Sequence, residues 1–420
     1  MWILFFVFTI TSCSAAEFSS RPTNVSLLLL HFTNEATKGP VVLAPFGLWS
    51  MMAGVSFGAH GGTKKEIFRA FLLLTDRKKF SEQYKNLTDV LFQVNTTGVE
   101  VTNNNYFFVD KNILIYPDFR EILTNDYNSI FMTFDFQDPI LSADRANSIL
   151  RNTSKRKSYI FHSDDFKDST IVMANVIFFK GYWSTPFNMS NTAKEMVNSF
   201  DGKQGIVEMM HMSAKVRSSH MESMKATVTE LPYGNDGKYC MLLLFPDANV
   251  SIKDMYKNFE RVTFRDIFTK LQGDEDEFGL KDIDVKLPKF VKRSKLQLAK
   301  PFNDMGIYDA FEPNDASFGR ISNEPIYIET IEHNVIVSVT ESGTVAYGTT
   351  PGIIAKLPTV QENELAKEQE AYLMESDYHR PWTSATPGGL QVRRRPLCCF
   401  HRVVVRGRII VDFRTSRWCG

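Results

Sequence analysis

Zinc-type cysteine pairs and clustered histidines are missing from this chain. Its 420 residues hold five cysteines, none in a zinc-type pair. The eight histidines are scattered, and the nine-residue step from His211 to His220 suits no helical metal pair. No metal site and no cofactor are expected. Excess charge is missing too: Lys+Arg and Asp+Glu are both 48, so no global basic field marks the chain for nucleic acid. No segment after the first ten residues is apolar and long enough to span a membrane. There is no internal repeat and no heptad pattern. Metalloenzyme, nucleic-acid binder, membrane-spanning protein and solenoid all drop out.

What is present reads as an ordinary globular protein with ample core. Hydrophobic residues make up 43% and charged residues 23%, and the 34 phenylalanines call for an aromatic-rich interior. Met1–Ile10 is apolar but too short to span, and Ser14-Ala15-Ala16 offers small residues to a signal peptidase. Residues 1–16 are therefore expected to be a cleaved signal peptide, and the product secreted. Six sequons, at Asn24, Asn86, Asn95, Asn152, Asn188 and Asn249, fit an extracellular glycoprotein. Cys13 leaves with the leader. Cys240, in a strongly apolar run, is expected to be a buried free thiol. A disulfide from Cys398 or Cys399 to Cys419 is compatible with secretion, and the sequence leaves the pairing open.

Periodicity places helices early: Pro22–Ala36, Thr63–Leu74 and Ser142–Arg156, with Val41–Phe46 a short strand running into a helix through Ser56. Val99–Asp110, Ile130–Phe136 and Ser169–Phe179 read as strands. After them the chain is mostly strands, with one helix near Ile252–Leu271. This order is an α+β pattern. Gly273–Glu277 reads as a solvated acidic loop. Pro351–Arg395 is polar and rich in Glu, Lys, Pro and Ser, and reads as a mobile loop. Gly54-Val-Ser56-Phe-Gly58 fits G-x-S-x-G, the nucleophile elbow of α/β-hydrolases. That motif needs a strand before it and a helix after it. Here a helix precedes it and a loop follows, so a hydrolase built on Ser56 is a remote alternative.

The most informative stretch is Val335–Thr350. Val335, Val337 and Val339 alternate as a strand; small and β-branched residues follow Glu341-Ser342-Gly343. It reads either as a long hairpin with an exposed second half or as a conformational switch. Glu341-Ser-Gly-Thr-Val-Ala-Tyr-Gly-Thr349 resembles the hinge E-E-G-T-E-A-A-A-A-T of inhibitory serpins, the serine protease inhibitors. Asn175-Val-Ile-Phe-Phe-Lys-Gly-Tyr-Trp183 resembles N-A-I-Y-F-K-G-x-W, followed by Phe187 and Thr192. Leu231-Pro-Tyr233 with Cys240–Pro246, Val285–Phe290, and Met305-Gly-Ile307 with Phe311 and Phe318 resemble further family signatures, as does Val42–Pro45 with Gly58, Ala59 and Thr63. These matches are collinear over roughly residues 20 to 350, with a weaker tail near 395–417.

The resemblance implies one serpin domain over residues 17–420: helices packed around a large central sheet and smaller sheets, with an exposed reactive loop near the C-terminus. That loop would span about 341–395, which is unusually long. A target protease would cleave it and form an acyl-enzyme. The loop would then insert between two parallel strands of the main sheet and trap the protease; loop insertion in this family is a known mode of strand addition. The hinge would comprise Glu341, Ser342, Gly343, Thr344, Val345, Ala346, Tyr347, Gly348 and Thr349. On insertion Thr344, Ala346, Gly348 and Thr350 would share the core face, with Val345, Tyr347, Thr349 and Pro351 on a less confined face. The register puts the scissile bond near Lys356-Leu357, which implies a trypsin-like target. Asn175 and His333 would hydrogen-bond in a polar cluster beneath the parting strands. The two serines of that cluster are Ala44 and Gly47 here. Lys289 would pair with Glu341 at the top of the sheet, near Trp183, and hold the loop expelled. The basic runs Arg77-Lys-Lys79 and Lys155-Arg-Lys157 would bind a glycosaminoglycan, as in some serpins, or form a solvated face. A monomer is expected. The alternative is a non-inhibitory carrier whose loop is cleaved as an ordinary substrate.

Overall fold

The computed structural model describes residues 3–4, 20–37, 41–92, 97–154, 160–198, 204–259 and 262–357. All of them fall in a compact unit, Met1–Pro358; Thr359–Gly420 forms a second unit and lies outside the described residues. The disulfide candidates Cys398, Cys399 and Cys419, the basic run 155–157 and the loop beyond Pro358 lie outside them as well.

The helices are α1 (Ser20–Ala36), α2 (Pro45–Ser56), α3 (Gly61–Ala70), α4 (Arg77–Phe92), the short α5 (Pro117–Glu121), α6 (Pro139–Ser154), α7 (Ile252–Phe259), α8 (Phe264–Phe278) and α9 (Ala299–Asp304). The strands are β1 (Ile3–Leu4), β2 (Val99–Asp110), β3 (Ile130–Phe134), β4 (Ser169–Tyr182), β5 (Ala193–Asn198), β6 (Gln204–Val216), β7 (Ser218–Met221), β8 (Ala226–Tyr233), β9 (Tyr239–Pro246), β10 (Lys281–Pro288), β11 (Phe290–Gln297), β12 (Ile326–Thr340) and β13 (Gly343–Lys356). They build a six-stranded sheet, β11-β12-β13-β4-β2-β3, and two smaller sheets, β1-β9-β8-β7 and β10-β6-β5. This is an α+β architecture in which helices pack on a large central sheet.

The core explains the arrangement. Every residue of α2 is buried, as a helix that is apolar all round demands. Pro45 starts it where a missing N–H is harmless. With α1, α3 and α4 it lies behind the central sheet in one cluster that holds Trp49, Phe71 and Phe80. A second cluster joins the upper end of the central sheet to the smaller sheets through Trp183, Tyr233 and Leu287.

Several sequence expectations are corrected. Val41–Ala44 is extended but not a strand, because side chains take its N–H groups: Val42 N donates to Ser294 Oγ (2.9 Å) and Ala44 N to His333 Nε2 (2.8 Å). The acidic Gly273–Glu277 belongs to α8. A capping box between Thr263 and Asp266 starts that helix, and the i,i+4 pair Lys270–Asp274 (2.8 Å) supports its end. The basic run Arg77–Lys79 opens α4, a helix the periodicity did not show, and Arg77 pairs with Asp126 at 3.0 Å. The largest difference is the segment after Glu341. Read as an exposed loop, it is instead β13 as far as Lys356, a central strand. Pro351–Lys356 therefore belongs to the sheet and not to a polar loop.

Candidate functional site

β12 turns into β13 through Glu341 and Ser342, with Thr340 and Gly343 as the first pair. β13 then runs antiparallel to β12 on one side and to β4 on the other, so those two strands are parallel to each other. Thr344, Ala346, Gly348, Thr350 and Ile354 are buried, while Val345 and Tyr347 are half-buried on the opposite face. Tyr347 lies against Phe178 with ring centroids 5.1 Å apart. That opposite face closes further along, where Thr349 and Pro351 are buried. The Tyr233 hydroxyl donates to Thr344 Oγ1 (2.6 Å). Burial holds the Tyr233 pKa well above its ordinary value, so it remains a donor.

Pro351 faces Ala174 of β4 in register. On the β12 side the pairing passes from Ile331↔Gly352 to Asn334↔Thr349, so Thr350 and Pro351 have no ladder partner there. A side-chain bond closes this gap. Ala44 N–H donates to His333 Nε2 (2.8 Å), which leaves the ring proton on Nδ1, and Nδ1 donates to Thr350 Oγ1 (2.7 Å). Complete burial pushes the His333 pKa down to about 3, so the ring is neutral. The expected His333–Asn175 hydrogen bond is replaced, because β13 stands between β12 and β4. Asn175 Nδ2 donates instead to Asn103 Oδ1 (2.7 Å) and Asn105 Oδ1 (2.9 Å) of β2. Asn105 continues to Ser50 Oγ (2.8 Å), which bonds Tyr84 OH. Neither Thr350 as the His333 partner nor this asparagine–serine–tyrosine chain was expected from the sequence. The polar run Asn103-Asn104-Asn105 directly before the apolar Tyr106-Phe-Phe-Val109 was the available signal.

At the turn end Glu341 is buried, and its carboxylate meets Lys289 Nζ (3.2 Å) and accepts from Thr192 Oγ1 (3.1 Å). Burial raises its pKa, but its own backbone N–H, Lys289 and Thr192 outweigh that effect and hold it below the ordinary value. Trp183 Nε1 donates to Thr340 O (3.0 Å), Trp183 N to Ser342 O (3.1 Å), and Phe187 N to Glu341 O (3.0 Å). The Lys289–Glu341 pair is thus made with β13 inside the sheet, so it does not require an expelled loop. At the other end Lys356 is exposed, its Nζ 3.5 Å from Glu324, and Leu357 N donates to Pro325 O (2.9 Å).

The remaining candidates lie apart from this strand. Ser56 is buried at the end of α2, its hydroxyl donating to Ala53 O (2.6 Å), in no position to attack an ester. Cys240 is a free thiol, as expected, and is half-buried; burial and the neighbouring Glu230 push its pKa well up. Asn86, Asn188 and Asn249 are exposed, and Asn24 is half-buried in α1. Asn95 and the Asn152 side chain lie outside the described residues. Among the described residues, no cluster of three or more His, Cys, Asp or Glu side chains is arranged to hold a metal ion. No helix among them is long and apolar enough to cross a membrane.

Comparison with known proteins agrees with this geometry. Leukocyte elastase inhibitor of Xenopus tropicalis is 26% identical over 355 residues, covering 82% of this chain and 92% of the relative. Among solved structures, cleaved Serpin 42Da superposes with a TM-score of 0.72 at 22% identity, over 81% of this chain and 90% of that one. Reactive-loop-cleaved human thyroxine-binding globulin gives 0.69 at 19% identity, over 81% and 98%. At these identities the structures establish the fold alone. The family model for serpin (serine protease inhibitor) matches residues 21–373, and the chain belongs to the serpin family.

Proposed function

We propose that this chain is a secreted serine protease inhibitor that acts by loop cleavage, acyl-enzyme trapping and strand insertion. The observation that supports it is the fit of β13. Its 14 residues seat fully between β12 and β4, with the small side chains of Thr344, Ala346, Gly348 and Thr350 toward the core. In the mechanism we envisage, a trypsin-like enzyme attacks the Lys356 carbonyl. The Lys356–Leu357 amide breaks, the leaving nitrogen takes a proton, and the Lys356 acyl group stays esterified to the protease. Insertion from Gly343 then draws Lys356 to the far end of the sheet. Fourteen strand residues carry the enzyme roughly 45 Å. Insertion must outrun deacylation, so the residues that first enter, Gly343 and Thr344, decide the outcome.

Residues 1–16 are removed as a signal peptide and take β1 with them; the mature domain begins at Glu17 and is glycosylated on exposed sequons. It acts as a monomer outside the cell, and the basic start of α4 is its candidate glycosaminoglycan contact. A second reading is a non-inhibitory binding protein. It is favoured by Gly348 and Pro351, poor strand formers in a central strand, and thyroxine-binding globulin shares the fold. Titration of a trypsin-like protease separates the two. Inhibition predicts loss of activity near one equivalent, with no recovery on dilution; a binding protein leaves activity intact while its loop is clipped.

A further inference from the structure

The start of α2 packs closely on the central sheet, with Ala44 against Gly348 of β13 and Gly47 against the Asn175 side chain of β4. A Cβ built on Gly348 would lie 2.7 Å from Ala44 Cβ and 2.7 Å from Ile177 Cγ2. A Cβ on Gly47 would lie 1.9 Å from Asn175 Oδ1. A side chain at Gly348 would meet the Cβ of Ala44, which cannot rotate away, and one at Gly47 would have to displace the Asn175 amide. Asn175 Oδ1 is buried and has no hydrogen-bond partner. The Gly47 Cα–H that replaces a Cα–Cβ bond points at it, a weak C–H···O contact that only glycine can make there. Ala44 and Gly47 are the positions where the family resemblance expects hydroxyls, and their loss alone would read as a weakened polar cluster.

We infer that Ala44, Gly47 and Gly348 are a matched set of positioning residues, in which close packing of α2 on β13 and β4 replaces the missing hydroxyls and sets whether β13 can seat. At Gly348, a poor strand former, Ala44 occupies the space a Cβ would fill. The inference rests on β13 entering the sheet, as in the proposed function, but not on any protease being trapped.

The test is hydrogen–deuterium exchange of the full-length protein after limited tryptic cleavage at Lys356, read on peptides from β13 and from β9. Gly348→Ala and Gly47→Ser should each speed β13 exchange at least tenfold and leave β9 unchanged. Ala44→Gly should have little effect alone, yet restore most of the protection in the Gly348→Ala background, because the Ile177 methyl can turn away and the Ala44 Cβ cannot. Unchanged β13 exchange in Gly348→Ala or Gly47→Ser overturns the inference. So does a double variant no better than Gly348→Ala, or a wild-type β13 that exchanges freely after cleavage. Should Gly47→Ser fail to fold, the Ala44/Gly348 cycle decides alone. Failure of the inhibitor reading would appear separately, as a protease that stays active.

Discussion

Gly343 offers the sharpest perturbation of strand insertion. A Cβ there would lie 2.1 Å from the Gly181 carbonyl oxygen and 2.9 Å from Tyr182 Cα, both backbone atoms of β4. Backbone cannot swing aside as a side-chain end can. Relief requires β13 to move off β4 by about 1 Å, which stretches the pairing of Gly343, Thr344 and Val345 with Tyr182, Gly181 and Lys180. Loss of two or three inter-strand hydrogen bonds at ~1 kcal/mol each gives roughly 2–3 kcal/mol against the inserted state. That is about 30- to 150-fold in equilibrium, and it falls on the first step of insertion. Gly343→Ala should therefore convert most encounters from trapping to simple cleavage, read as a stoichiometry of inhibition many times the wild-type value. Ser342→Ala is the control: Ser342 is exposed in the turn and should change stability by less than about 0.5 kcal/mol. Equal stoichiometries for Gly343→Ala and wild type would refute the reasoning.

Other predictions concern the two ends of the strand and its polar lining. Lys356→Leu should abolish action on trypsin-like enzymes and create action on chymotrypsin-like ones, measured as second-order inhibition rates, because the S1 pocket reads this side chain. Lys289→Ala should cost about 1–2 kcal/mol in denaturant unfolding, between the values for exposed and buried pairs, since Glu341 is buried and Lys289 is not. The Glu341 carboxyl is held below its ordinary value of 4.5, so its stabilisation is present above pH 4.5 and is lost as pH falls through the folded pKa. His333 acts over a different window. The unfolded chain takes up a proton below pH 6.5 while the folded ring stays neutral to about 3, so stability declines on acidification between those values. His333→Gln should flatten that slope by up to ~1.4 kcal/mol per pH unit, seen in unfolding midpoints from pH 4 to 6.5.

Much of the fold was legible where one period dominates. β2 was bounded to the residue by its alternation, and Val335, Val337 and Val339 are buried on one face as their spacing indicated. The sequence was less informative where tertiary partners replace local signals. Val41–Ala44 has strand-forming residues, but Ser294 and His333 take its N–H groups. Gly273 reads as a loop former, yet it sits on the exposed face of α8, where the helix tolerates it. The site followed the same rule. The alternation of Thr344, Ala346, Gly348 and Thr350 could be read directly. That Pro351 falls where β12 offers no ladder partner, and that Thr350 bonds His333 at that point, depends on registers set by strands far apart in the chain.

In the proposed mechanism, cleavage at Lys356–Leu357 drives β13 to carry a covalently bound protease. The decisive experiment is a denaturing gel of the protein incubated with trypsin-, chymotrypsin- and elastase-like enzymes, with mass spectrometry of the released C-terminal peptide. Trapping should give a detergent-stable band at the summed mass with the trypsin-like enzyme, and a released peptide that begins at Leu357. Clipping by every enzyme, with no such band and full protease activity retained, would contradict it.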